Sequence, residues 1–239
     1  MRDQYTGDIS DFLKYALLRH LVDSEGRRLG VAWYYDPGDD GRSDGRHLEW
    51  QNDHDWAAID LTLHRSLSAL PERSIATVEG RDFWPAGTIF HRTPIPWRFA
   101  QRREWFEDLK ATLEPASLIF LDPDNGIGQP SRKHATLDEL AELRTYGRAL
   151  SFITFPGRTA AHTRQLEDLH AALDRRMPAC HPTTLTTCVS LSNPNNPNRF
   201  HPRIRWFTVV DGGHGLHERL HRFSERLNNI PRVKVAVHA

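Results

Sequence analysis

Cysteine is nearly missing from this sequence. Cys180 and Cys188 are the two among 239 residues, and their spacing fits neither a CxxC pair nor a zinc site. That excludes a disulfide framework and leaves both as reduced core or near-surface thiols. Long apolar runs are missing too: none approaches the roughly 18 residues that span a bilayer, so no membrane partner is expected. The opening residues MRDQYTGD lack the basic-then-apolar order of a secretory signal, which makes the cytoplasm the expected location. Excess charge of either sign is also absent. Lys plus Arg and Asp plus Glu number 31 each, so a nucleic-acid partner would have to be met by a local basic patch.

What is present is a globular composition, 26% charged and 38% hydrophobic, which excludes disordered and fibrous classes. The length suits one large α/β domain or two small ones, and with no internal repeat or linker the simpler expectation is one domain over residues 1–239. Seven Trp are accounted for by burial of large aromatics.

Periodicity predicts a helix over residues 8–24, where Ile9, Phe12, Leu13, Ala16, Leu17 and Leu21 recur at three- and four-residue steps behind the N-cap candidate Asp8. A buried strand follows at 29–36, then the polar, glycine-rich loop PGDDGRSDGRH. Further along, helices are expected at 55–70, 96–113, 137–146, 159–175 and 217–227. Strands are expected at 74–79, 117–121, 150–155, within LTTCVSLS and RIRWFTVVD, and at the final VKVAV. Strands alternating with helices predict a Rossmann-like α/β fold, a mostly parallel sheet covered on both faces. The two strands around SNPNNPN are too close for a helical crossover, so they predict an antiparallel C-terminal edge.

Three predicted strands end in an acid: Asp36, Glu79 and Asp122. Open α/β sheets bind ligands beyond the carboxyl ends of their strands. In that setting Asp36, on a Gly-containing loop, suits a nucleoside, and Glu79 suits ribose hydroxyls. The turn Asp122-Pro123-Asp124-Asn125-Gly126 has two readings. Asp-Pro and Asn-Gly punctuate chains wherever a tight turn is needed. Alternatively, Asp122 accepts a substrate N–H while Asn125 donates or accepts at the same spot.

The succession YTGDISDFLKYALLRHL, DPGDDG and FLDPDNG resembles class I S-adenosylmethionine-dependent methyltransferases, nearest to the large-subunit rRNA adenine-N6 methyltransferases of the RlmJ type. Asp11 and Lys14 match the Asp and Lys of that family's helix pattern Asn-x-x-Asp-x-x-Lys-His. Asp8 stands where Asn is usual and Tyr15 where His is usual. Asp36 and Gly38 match the first-strand acid and its glycine loop, and Asp122 and Pro123 match the first half of the Asp-Pro-Pro-Tyr turn. Asp124 and Asn125 depart from the second half, and Asp39 and Asp40 add carboxylates to a loop normally built of small residues. The match covers roughly the first half of the chain. The DPDNG turn is also similar to that of a group of uncharacterised bacterial proteins.

The resemblance implies S-adenosylmethionine as cofactor, with Asp36 and Gly38 lining its loop, Glu79 at the ribose and Lys14 at the methionine end. It implies methyl transfer to nucleic acid or another nitrogen nucleophile, with Asp122 and Asn125 orienting the acceptor. Lys14 has an ordinary reading as well, a lysine snorkelling beside Phe12 and Leu18.

Other readings compete. Asp36, Asp39, Asp40 and Asp44, with Asp122 and Asp124, would supply oxygen ligands to Mg²⁺ in a nuclease or phosphotransferase, or the loop is simply solvated. A non-catalytic binding module of the same fold is the third possibility. Arg158 precedes a predicted helix N-terminus, a natural anion site. RFHPRIRWF interleaves Arg199, Arg203 and Arg205 with aromatics as single-strand binders do. Strand alternation instead turns Arg203 and Arg205 to solvent and Ile204 and Trp206 to the core, the expectation adopted. His214, His217 and His221 have no companion ligand pattern, and a zinc site is not expected. Oligomeric state is not legible.

Overall fold

A computed structural model describes residues 1–22, 26–38, 47–145, 148–158, 160–193, 196–210 and 215–239, with backbone alone for 191–193 and 196–201. In chain order the elements are α1 (Ile9–Val22), β1 (Leu29–Trp33), α2 (His54–Ala57), α3 (Leu61–Ser68), α4 (Ile75–Glu79), β2 (Ile89–His91), α5 (Arg102–Thr112), β3 (Leu118–Asp122), β4 (Gly126–Ile127) and β5 (His134–Ala135). There follow α6 (Leu137–Leu143), β6 (Ala149–Thr154), α7 (His162–Arg176), β7 (Thr183–Asn193), β8 (Asn196–Val210), α8 (Leu216–Asn228) and β9 (Val233–His238).

The main sheet has seven strands in the order β2-β1-β3-β6-β8-β7-β9. The first four run parallel, and β8, β7 and β9 add antiparallel pairings. The expected α/β architecture and its antiparallel C-terminal edge are therefore both present. Both faces are covered. Val31, Trp33, Leu118 and Phe120 pack with α1, α3 and α8, whereas Ala32, Ile119, Leu121 and Phe152 pack with α5, α6 and α7. Period-two alternation with apolar partners on each side is why β1 and β3 read as continuous hydrophobic runs.

Three expectations fail for local reasons. Residues 74–79 form helix α4 and not a strand. Ser74 Oγ accepts from Thr77 N at 3.1 Å and Asp3 Oδ1 accepts from Ile75 N at 2.8 Å. These two caps outweigh the β-branched composition, and the place beside β1 goes to β2. The helix expected over 55–70 divides into α2 and α3, because Asp60 turns into an N-cap, its Oδ1 accepting from Leu63 N at 2.9 Å. The helix expected over 96–113 begins only at Arg102. Ahead of it Trp97 and Phe99 remain 81% and 71% exposed.

Candidate functional site

From β1 the chain runs outward to β2, then returns to the opposite side of β1 to form β3. That reversal is a topological switch point, and it places a crevice beyond the carboxyl ends of β1 and β3. Trp33 and Asp122 are register partners at those ends.

Helix α1 approaches this crevice. Asp8 Oδ1 accepts from Ser10 N (2.8 Å) and Asp11 N (3.1 Å), so the predicted N-cap is in place. The helix then carries Asp11 and Lys14, one turn apart on the same face, into the interior. Lys14 Nζ lies 2.6 Å from Asp11 Oδ1 and 2.8 Å from Asp122 Oδ2. Its side chain is 3% exposed, so the snorkelling expectation is corrected. Two carboxyl groups flank one ammonium, so Lys14 is already engaged on two sides. Burial pushes the Asp11 and Asp122 carboxyls up, against the pull of Lys14. Burial also penalises the Lys14 ammonium, but Asp11 and Asp122 outweigh that and hold it above its ordinary value.

Beyond Asp122, the Asn125 N–H donates to Lys133 O at 2.9 Å, and Gly126–Ile127 pairs with His134–Ala135. Gly126 has φ +98, and a Cβ there would lie 2.8 Å from Thr154 Cα. The turn therefore needs its glycine for backbone reasons, whatever else Asp122 and Asn125 do. Asp122 and Asn125, together with Lys14, line a cavity of about 460 Å³ walled by Asp8, Asp11, Phe155 and Arg205. Asp122 Oδ2 is engaged by Lys14, and among the described residues no side chain donates to Oδ1.

Asp36 lies 2% exposed at the neighbouring strand end. Its Oδ2 accepts from Arg2 Nη2 at 2.9 Å and its Oδ1 from Arg132 Nη2 at 2.5 Å and Gly38 N at 3.1 Å. Arg2 Nε also lies 3.7 Å from Asp124 Oδ2, so one guanidinium joins the β1 end to the DPDNG turn. The Met1 amino group donates to Tyr34 O at 2.6 Å and lies 2.7 Å from Asp124 Oδ1. The Arg132 guanidinium is 3.4 Å from the Trp97 ring centroid, so an exposed indole stacks on the cation that holds Asp36.

Glu79 is placed apart from the other two acids. It ends α4, its Oε1 accepts from Trp33 Nε1 at 2.8 Å, and its Oε2 lies 3.5 Å from Arg92 Nε. Burial raises its carboxyl, while Arg92 and Trp33 pull it down. No described contact joins Glu79 to Asp36 or Asp122. Among the described residues the three acids do not contact one another: Asp36 is linked through Arg2 to Asp124 of the turn, and of the three Asp122 alone lines the cavity at that turn.

Sequence reasoning missed Arg2, Arg132 and Phe155, which no spacing marks. It also misplaced Arg203 and Arg205. Arg205 turns inward from β8, its Nε donating to Ser10 Oγ at 2.8 Å and its guanidinium lying 4.6 Å from the Phe155 centroid. The expectation of solvent-facing arginines is corrected: they share the face of Phe207 and Val209, which packs on α1. Among the described residues no group of three or more His, Cys, Asp or Glu is arranged to hold a metal ion. Asp39, Asp40, Asp44 and His214, which entered the metal readings, lie outside the described residues, as does the side chain of Arg199.

No protein-family model and no curated protein matches the sequence. Among solved structures the chain is similar to the crystal structure of protein LPL1258 from Legionella pneumophila strain Philadelphia 1, described with the family model DUF519. The TM-score is 0.52 at 10% identity, over 98% of this chain and 97% of that one. The likeness is one of fold.

Proposed function

We propose that this chain transfers a methyl group from S-adenosylmethionine to a nitrogen nucleophile, with nucleic acid as the acceptor. The observation that carries this reading is the Asp122 carboxylate. It stands at the switch point, is fixed through one oxygen by buried Lys14, and lines the cavity that Asn125 also lines.

The crevice supports the cofactor part in its donor set. Asp36 offers acceptor oxygens at the end of β1, and a Cβ on Gly38 would lie 3.2 Å from Asp36 Oδ1, so the backbone there approaches closely. Hydroxyl groups suit such an acid. The Arg2 and Arg132 guanidinia hold Asp36 and yield when a nucleoside takes their place. When bound, S-adenosylmethionine supplies a methyl group activated by its sulfonium.

The remaining roles belong to the chain. Asp122 Oδ1 accepts an N–H of the acceptor amine and aims the nitrogen lone pair, and Asn125 adds a second hydrogen bond at the cavity edge. Lys14 positions Asp122 and opposes the upward push of burial on its carboxyl. Glu79, committed to Trp33 and Arg92, takes no part.

Incubation with S-adenosylmethionine labelled in its methyl group and with RNA and DNA oligonucleotides tests the proposal. Label should pass to one of the polymers, and Asp122→Asn should slow transfer by about 10²-fold or more. No transfer by the wild type, or undiminished transfer by Asp122→Asn, refutes it.

A further inference from the structure

The wall of the 460 Å³ cavity formed by β8, the β6–α7 connection and the β4–β5 connection is cationic. Arg203 and Arg205 come from β8, Arg158 from the segment after β6, and Lys133 from the loop between the parallel strands β4 and β5. The register brings them together. Thr154 pairs with Trp206, so continuing the antiparallel ladder by one residue sets Phe155 beside Arg205, where the guanidinium covers its ring. Arg203 lies two residues further along β8, on the same face as Arg205.

Counter-charge is scarce around these cations, and Arg205 meets it in Asp8 and Asp11. Asp11 and Asp122 already share Lys14. Asp8 is the acid whose charge acts most on Arg205, and its Oδ1 is taken by the backbone N–H groups of Ser10 and Asp11. Arg203 Nε is buried without an acceptor. Among the described residues, Arg203, Arg158 and Lys133 form no ion pair with any carboxylate. Guanidinium groups left without acceptors are costly unless a ligand supplies them.

We infer that Arg203, Arg205, Arg158 and Lys133 form an oxyanion subsite that takes a phosphate group of the acceptor, a deepening of the methyl-transfer reading of the same cavity. Phosphate suits the set better than carboxylate. It presents several acceptor oxygens to planar, forked guanidinia, and its charge answers several unpaired cations at once. A carboxylate's two oxygens satisfy a single arginine.

Calorimetric titration of AMP, adenosine and an RNA octamer into the wild type and into Arg158→Gln/Arg203→Gln tests this. The wild type should bind AMP at least about tenfold more tightly than adenosine, and inorganic phosphate should compete with AMP. In the double variant the gap should fall to within about twofold, and the salt slope of octamer binding should fall by about one per charge removed. Arg203→Lys should keep most of the gap, which separates lost charge from lost fold. An octamer bound more tightly than AMP identifies a phosphodiester source, and AMP at equal or higher affinity identifies a phosphomonoester. Equal behaviour of AMP and adenosine toward the wild type, absence of binding by both included, overturns the subsite, as does a gap that survives in the double variant. S-adenosylhomocysteine affinity, read in the same titrations, reports separately on the methyl-transfer reading. Its absence beside an intact AMP preference leaves the subsite standing.

Discussion

Lys14 Nζ lies 2.8 Å from Asp122 Oδ2 across 108 positions of sequence, with both side chains 3% exposed. This contact locks the first helix to the end of the third strand and fixes the carboxylate on which the proposed chemistry turns. Removing one partner of a buried ion network leaves uncompensated charge in a poor solvent for it. Lys14→Met should therefore cost about 3–5 kcal/mol of stability by urea unfolding, whereas a surface lysine costs almost nothing. A loss below about 1 kcal/mol would show that the trio is not buried as described.

Gly126 is required by its backbone. With φ +98 and Thr154 Cα 2.8 Å from where a Cβ would stand, Gly126→Ala should destabilise by about 1–3 kcal/mol. Neutral stability in a thermal melt would contradict the turn geometry.

His91 gives the acid side of the pH profile. It is 2% exposed, with Nε2 3.0 Å from Asp108 Oδ2. Burial depresses its pKa below 6.5, against the opposing pull of Asp108. For a depressed histidine the folded state binds its proton less readily than the unfolded state. Its stabilising contribution is thus full above 6.5 and is lost as pH falls through the folded value. The wild type should lose stability relative to His91→Gln between about pH 7.5 and about pH 5. Parallel denaturation curves at the two pH values would show the reverse.

Much of the fold was legible because its signals are local and redundant. The apolar stripe and Asp8 cap of α1, the continuous runs of β1 and β3, and the short link between β7 and β8 each point one way. Residues 74–79 misled because composition favours a strand while Ser74 and Asp3, the second remote in sequence, cap a helix. The site was half legible. Asp36, Asp122, Asn125 and Lys14 stand at the crevice or cavity, but what holds them does not show in spacing. Arg2 and Arg132 reach Asp36 from 34 and 96 positions away. Arg205 faces inward because Ser10 Oγ accepts from it and the Phe155 ring lies under its guanidinium, contacts that strand alternation does not reveal.

Arg132 holds Asp36, and under the proposed methyl-transfer function it competes there with a nucleoside hydroxyl. A binding-competent crevice would then be a fraction of the population, and apparent affinity would be reduced by that fraction. Arg132→Ala should tighten S-adenosylhomocysteine binding by about 2–10-fold in calorimetry. Weaker binding in this variant would mean that the guanidinium contacts the ligand instead of opposing it.

The most direct measurement is a titration of S-adenosylhomocysteine into the folded wild-type protein and into Asp36→Asn. The account predicts saturable, submillimolar binding by the wild type and a loss of at least about tenfold in the variant, through removal of the acid at the end of β1. No heat of binding by folded wild type at millimolar ligand would contradict it, as would equal affinity in Asp36→Asn.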